Sequence, residues 1–444
     1  MIKSAVYSSL EIANALGVPL HGENAIIDGI TIDSREKGAQ SCFFAIKGEK
    51  YDGANFINQA VSNGARLIVT DRKISLPVSV IYVNDTKIAL GKLGKYHKGN
   101  TKIIGVTGSV GKTTVKNMIK CVLAKKYNVL ATYLNHNNEI GVPLTLLSLL
   151  DEEYCIVEMG MRQAGEIRYL SSLCEPVISV ITNCESAHIE RLGSKENIFK
   201  AKTEILENTK KYAVVPSEKR FSDVEYGKVK PYFIGENGNI SAKNVTYGKG
   251  GIYFDVCDGN IMTKMRISSY GIHDAKNAAF AYAVAKLCDV DASAVTRAIA
   301  EYSSDSMRGG VLKVHGITVI DDCYNASFES TKSALLSLSE YAKKNKLTAN
   351  AMLGDMLEAG EYSYEYHYRI GELAKDIGIK RLYSVGKFAD ALIDGFCGGE
   401  RFSSDANAAK TIISELGCDD VLLVKASRAM RLEKIIDYMK ESEK

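Results

Sequence analysis

The sequence predicts an α/β protein of several domains built on mostly parallel sheets. Three observations carry this. Short apolar runs alternate with amphipathic stretches along most of the chain. A glycine loop, TGSVGKTT at 107–114, stands between an apolar run and a helix-like one. The 444 residues exceed one ordinary domain and fit about two to four.

Residues 1–99 read as a small mixed α/β N-terminal domain. EIANALG (11–17) predicts a helix, and GITIDSR (29–35) and CFFAI (42–46) predict strands. FINQAVSNGA (56–65) predicts a helix leading into strand RLIVT (66–70), and YHKGN (96–100) a polar connection. Residues 100–308 predict a central domain with a mostly parallel sheet. Its strands are expected at 102–107, 128–132, 154–158, 177–182 and 211–215, and its helices at 114–126, 141–150, 164–173 and 195–208. A β-rich insertion at 231–267 and helices at 274–288 and 291–302 close it. Residues 309–444 predict a doubly wound, Rossmann-like domain. Strands are expected there at 317–321, 348–353, 380–385 and 420–424, and helices at 328–344, 361–377, 387–395, 405–416 and 430–441.

Composition narrows the function. Hydrophobic residues at 46% and charged residues at 25% are ordinary globular values. A net charge of +3 argues against an extended nucleic-acid surface. Ten cysteines without a CxxC pair suggest neither a zinc ribbon nor a disulfide framework, and fit a reduced, cytoplasmic chain. The N-terminus lacks the pattern of a signal peptide, and no apolar run reaches the roughly 18–20 residues of a membrane span.

The glycine loop carries the strongest chemistry. Strand KIIGV (102–106), loop, Gly-Lys-Thr and helix VKNMIKCVLAKKY (115–127) form the arrangement that holds a nucleoside triphosphate. Glycines let backbone N–H groups approach phosphate, the helix N-terminus adds partial positive charge, Lys112 adds a full one, and the Thr113 hydroxyl suits Mg²⁺. The loop is a shorter variant, because Val106 stands where the usual first glycine falls.

Ligands of open α/β sheets bind beyond the carboxyl ends of the strands. Glu158 ends strand YCIVE, and Thr182, Asn183 and His188 follow VISVI. These groups could organise Mg²⁺ around a triphosphate. The alternative readings are a solvated loop carboxylate for Glu158 and a surface histidine for His188. Lys202, on the next helix, reads from spacing as a solvated lysine. In the last domain Asp322, Asp355 and KASR (425–428) each follow a strand. An acidic residue there can bind a ribose hydroxyl, and the basic cluster a phosphate or carboxylate.

Together these segments resemble the Mur ligase family, ATP-dependent amide-forming ligases of peptidoglycan precursor synthesis. The short loop, TIDSREKGAQSCFFAIKGEKYDGANFI (31–57), NNEIGVPLTLL (137–147), EMG (158–160), TNCESAHIERLGSKENIFKAKTEI (182–205) and DDCYNAS (321–327) carry the likeness, in order, along nearly the whole chain. The resemblance favours the member that joins D-alanyl-D-alanine to UDP-N-acetylmuramoyl-tripeptide. A sister enzyme typically shows Asp-Asn-Pro-Arg in its last domain, and this chain has no such tetrapeptide.

The resemblance implies roles. Thr107, Gly108, Ser109, Val110, Gly111, Lys112, Thr113 and Thr114 would hold the ATP phosphates. Thr113, Glu158, His188 and Lys202, the last as a carbamate, would serve Mg²⁺. His273 and Asn277 match the adenine-contacting segment, and Arg308 and Asp322 match nucleotide contacts from across the domain boundary. Ser34, Arg35, Lys47, Asn137 and Asn138 would hold the UDP-linked peptide. Asp355, Lys425, Ser427 and Arg428 would meet the dipeptide. No nucleic-acid or integral-membrane partner is implied, and a monomer is expected. Two positions depart from the family pattern. YNASF (324–328) loses a proline and an amide, and Ala426 replaces a glycine, which makes a positive φ costlier there.

The implied chemistry is activation of a peptide carboxylate by ATP to an acyl phosphate, then attack by an amine. Domain closure suits it, with hinges expected near 96–100 and 305–311. The competing expectations are a sister ligase or folylpolyglutamate-type synthetase adding one amino acid, and a P-loop ATPase switch without a peptide acceptor.

Overall fold

The computed structural model describes residues 6–38, 40–185, 189–304 and 307–442. Three sheets follow one another along the chain, beside a two-stranded ribbon near the N-terminus. The first has five strands, ordered Leu20–His21, Ser79–Tyr82, Ala65–Thr70, Ser41–Phe44 and Gly29–Thr31. Its pairs are parallel except at the Leu20–His21 edge. GITIDSR forms a strand over Gly29–Thr31, so Ser34 and Arg35 stand in the turn after it.

Of the expected connection at 96–100, Tyr96 and His97 end a helix, Thr86–His97, and residues 98–100 form the turn that follows. The start of the helix is fixed by Asp85, whose carboxylate accepts from the N–H groups of Lys87 and Ile88. Its two glycines lie at close packing sites. A Cβ at Gly91 would come within 2.4 Å of the Tyr169 hydroxyl, and one at Gly94 within 3.1 Å of Pro143. The other expected hinge, 305–311, lies partly outside the described residues.

The second sheet has nine strands. Lys102–Thr107 lies between Tyr154–Glu158 and Ile178–Ile181, and the order continues through Tyr212–Pro216 and Lys230–Ile234. These pairs are all parallel. The expected β-rich insertion is continuous with this sheet. Lys230–Ile234 extends it in parallel, and Ile240–Gly248, Gly251–Asp258 and Ile261–Ile267 finish it as an antiparallel edge. Alternate residues of the central strands face opposite sides. Ile104 and Val106 pack with Val115, Met118 and Ile119 of the helix after the loop. Ile103 packs on the other face with Val142, Ile198 and Ile205. The helix Asp274–Leu287 is buried along most of its length. Its alanines let it lie against the phosphate-loop helix, which brings Asn277 to Gly111.

The third sheet has six strands, ordered Gly310–Val314, Ile317–Asp321, Asp420–Lys425, Thr348–Leu353, Arg381–Val385 and Glu400–Phe402. Only the first pair is antiparallel. Leu353 and Leu423 face Leu335 and Ile370 on one side, while Met352 and Val424 face Ile412 and Ile435 on the other. This is the doubly wound arrangement expected. Ala426 does not take a positive φ, and its methyl packs beside Gly354. In the altered YNASF loop, Ser327 caps the helix Phe328–Asn345 through a reciprocal bond with Ser330. No helix among the described residues is long and apolar enough to cross a membrane.

Candidate active site

The phosphate loop is tied down by the next strand end. Asn183 Oδ1 accepts from the N–H groups of Ser109 (3.1 Å) and Val110 (2.9 Å), and its amide donates to the Val110 carbonyl. The Thr182 hydroxyl donates to that carbonyl at 2.6 Å. Ser109 and Glu185 exchange two bonds of 2.9 Å. Gly108 has φ 150°, and a Cβ there would fall 1.9 Å from Thr182 Oγ1, so a side chain is excluded. Gly111 takes φ 81° and starts the helix Lys112–Leu123 without a side-chain cap. The first N–H groups of that helix therefore remain available to an anion.

Lys112 Nζ folds over the loop and donates to the carbonyls of Gly108 (2.7 Å) and Ser109 (3.1 Å). Loss of water around the ammonium lowers its pKa, and Arg308 adds to this while Glu158 opposes it. Beneath the loop, Thr113 Oγ1 donates to Glu158 Oε2 at 2.7 Å, and Asn137 Nδ2 donates to Oε1 at 2.8 Å. Lys116 Nζ stands 3.9 Å from Oε2. Glu158 is thus a buried, organised carboxylate, not a solvated one.

Lys202 is 1% exposed, in contrast to the solvated lysine its spacing suggests. Burial, aided by the charge of Lys112, lowers its pKa to about 7. His188 lies outside the described residues.

All three sheets contribute to one cleft of about 1370 Å³. Gly48–Tyr51 enter from the N-terminal side. Ser109–Thr114, Asn137, Asn138, Glu158 and Asn277 form the centre, and Arg308, Asp322, Lys425 and Arg428 close the far side. Asp322 Oδ2 accepts from Lys425 Nζ (2.7 Å) and the Tyr270 hydroxyl (3.3 Å), which ties the third sheet to the second. The Arg308 guanidinium stacks 3.5 Å from the Tyr324 ring centre. Asn277 is held by Asp274 at 2.8 Å. His273 bonds Ser333 at 3.2 Å and faces the same cleft.

Other expected residues stand apart from the cleft wall. Asp355 is buried, with both carboxylate oxygens accepting 2.9 Å bonds from the N–H groups of Lys387 and Phe388. Ser427 is likewise buried, accepting from Leu357 N–H at 2.9 Å. Ser34 donates to Gln59 at 2.7 Å, Arg35 forms a fork with Asp33, and Lys47 is exposed. Asn138, by contrast, lines the cleft and caps the turn before Gly141. Two residues not singled out in this role complete the centre: Lys116, and Asn183 as the anchor of the loop. The signal for Lys116 is its place four residues after Lys112, on the same face of the helix.

Comparison with known proteins agrees with this architecture. Residues 106–285 match the Mur ligase middle domain, 307–428 the Mur ligase glutamate ligase domain, and 26–97 the Mur ligase family catalytic domain. The UDP-N-acetylmuramoyl-tripeptide–D-alanyl-D-alanine ligase of Bacillus subtilis is 33% identical over 463 residues, covering 100% of this chain and 99% of that protein. The chain belongs to the Mur ligase family. It has that family's three-domain α/β ligase fold. A crystal structure of MurF from Acinetobacter baumannii aligns with TM-score 0.93 at 27% identity, over 99% of this chain and 100% of that one. MurF from Thermotoga maritima in complex with ADP aligns with TM-score 0.84 at 27% identity, over 93% and 97%.

Proposed function

We propose that this Mur ligase joins D-alanyl-D-alanine to UDP-N-acetylmuramoyl-tripeptide, using ATP and releasing ADP and phosphate. One observation carries the reading: the phosphate loop opens into a single cleft lined by all three sheets. That is the arrangement needed to bring a triphosphate and two further substrates together. The full-length likeness to the B. subtilis ligase supports the choice of substrates.

In this scheme residues 1–99 receive the UDP-linked peptide through Ser34, Arg35 and Lys47, joined by Asn137 and Asn138 of the central domain. Residues 100–308 hold ATP, with Asn277 toward the base. Residues 309–444 supply Asp322 to the nucleotide, and Lys425 and Arg428 to the dipeptide. Asp355 and Ser427 support that wall from behind. One chain holds every part of the cleft, which supports a monomer, and the use of ATP and a nucleotide-linked precursor supports action in the cytoplasm.

Mg²⁺ fits the centre by its donors. Thr113 and Glu158 offer hard oxygens on a buried floor. Thr113, Glu158, His188 and a carbamate on Lys202 would hold it. When bound, Mg²⁺ neutralises charge on the transferring phosphoryl group. A carbamate forms when the neutral Lys202 amine attacks the carbon of CO₂ and loses a proton.

The tripeptide carboxylate attacks the γ-phosphorus, the bond to ADP breaks, and an acyl phosphate forms. Lys112 exchanges two neutral carbonyl partners for charged phosphate oxygens, which adds ion pairing to its hydrogen bonds. The dipeptide amine then attacks the acyl carbon, phosphate leaves, and the amine proton passes to solvent. Exclusion of water by the surrounding walls protects the acyl phosphate.

Phosphate release measured with UDP-muramoyl-tripeptide, with and without D-alanyl-D-alanine, tests this. Release should require both substrates. Release with glutamate or a single amino acid would favour a sister ligase, and release without any acceptor would favour a switch ATPase.

A further inference from the structure

Lys116 is a buried cation that the scheme above does not use. It is 2% exposed, on the turn of helix after Lys112. Its Nζ donates to the Thr132 carbonyl at 2.7 Å. The Thr132 hydroxyl accepts from the N–H of Glu158 at 3.0 Å, so Lys116 grips the backbone that fixes this carboxylate. The same Nζ stands 3.9 Å from Glu158 Oε2. That separation is an ion pair beyond hydrogen-bond length, so the cation orients the carboxylate without occupying a lone pair on Oε2.

A neutral donor would satisfy the Thr132 carbonyl. Burial of a full ammonium is hard to recover unless an opposite charge stands near it. The opposite charge here is Glu158, whose two oxygens also receive Thr113 and Asn137. We infer that Lys116 is a positioning residue, which keeps the Glu158 carboxylate aimed at the divalent cation that accompanies the nucleotide. The inference rests on Glu158 being a ligand of that cation.

The test is ADP binding to the full chain by calorimetry, with Mg²⁺ and with EDTA, alongside thermal melts. Lys116→Met should bind ADP in EDTA within about twofold of the parent, while the affinity gained on adding Mg²⁺ falls about tenfold or more. Lys116→Gln, which keeps a donor for Thr132 but not the charge, should show the same selective loss. A full Mg²⁺ gain in a folded Lys116→Gln protein would overturn the inference, whether or not Lys116→Met folds. An equal loss with and without Mg²⁺ would also overturn it, since it would mark support of the fold alone. Glu158→Gln separates the two layers. If it keeps the Mg²⁺ gain, the ligand assignment fails and the inference with it. If it loses the gain while both Lys116 variants keep it, only the role of Lys116 fails.

Discussion

Beneath the phosphate loop, Glu158 is bonded by Thr113 and Asn137, flanked by Lys116, and closed off from solvent. At the N-terminal rim, Arg35 is 79% exposed and forks onto Asp33, two residues away. In the first region, groups from a helix, a strand end and a loop lock one another. In the second, a single turn holds its own residues. The floor is therefore organised without a ligand, as electrostatic catalysis of phosphoryl transfer requires. The rim leaves its charges in water, where they can meet a large polar substrate and then be desolvated by it. Substitutions should divide along the same line. On the floor they should remove turnover, and at the rim they should change substrate affinity.

Lys112→Ala should produce the largest effect, a loss of about 10³-fold or more in kcat, measured by phosphate release. The loop should survive, because Asn183, Thr182 and Glu185 anchor it independently of the lysine. Retained turnover would remove the loop from the mechanism.

Lys202→Ala comes next. The variant should be inactive, yet partly restored by short-chain carboxylates, which supply the missing charge. No restoration would remove the carbamate. The parent protein offers a pH test of the same idea. With its pKa near 7, Lys202 is mostly a neutral amine at pH 8 and mostly an ammonium at pH 6. After CO₂ depletion, added bicarbonate should restore activity readily at pH 8 and poorly at pH 6. The same shift has a consequence for stability. The folded pKa lies below lysine's ordinary value, so the unfolded chain binds more protons between about pH 7 and 10.5. The unmodified protein should therefore gain stability from this residue as pH rises through that window, and lose it as pH falls toward 7.

Asp355 sharpens the contrast, because a strand-end carboxylate reads from sequence as part of a binding rim. In the fold it bolts the loop at 387–388 to the sheet. Asp355→Ala would remove the partner of two partly buried N–H groups, at up to about 1–3 kcal/mol each where water does not replace it. The melting temperature should drop, while KM for the dipeptide in the remaining folded protein should stay close to that of the parent. A large KM change with unchanged melting would move Asp355 back to the rim.

Asp355 also shows where sequence stops being informative. Strand Lys102–Thr107 has the bounds expected of it, because an apolar run before a glycine loop is a local signal. The loop's function was legible for the same reason. The helix Thr86–His97 was not, and its Gly91 and Gly94 weaken the local helical signal. Their purpose is close approach to Tyr169 and Pro143, which are distant in sequence. Lys116 was hidden in the same way. A helix lysine reads as solvated until a strand end 42 residues later brings Glu158 beside it. What escapes a sequence reading here is the partner that comes from another element, and the floor of the site is made almost entirely of such partners.

Arg35→Ala should have the smallest effect and the most specific one. Asp33 is held down to about 2 by Arg35, through bonds from its guanidinium first and then from its backbone N–H. Both groups remain in water, so the pair contributes little to folding, and the melting temperature should not move. Turnover at saturating substrate should also persist, since Arg35 lies outside the cleft wall and away from the phosphate loop. The expected change is a rise in KM for the UDP-linked peptide, with KM for ATP unchanged. Arg35→Lys should recover part of it, because a point charge replaces the fork without its geometry. A fall in kcat with constant KM would place Arg35 with the floor, and the division between a locked centre and a solvated rim would then be drawn in the wrong place.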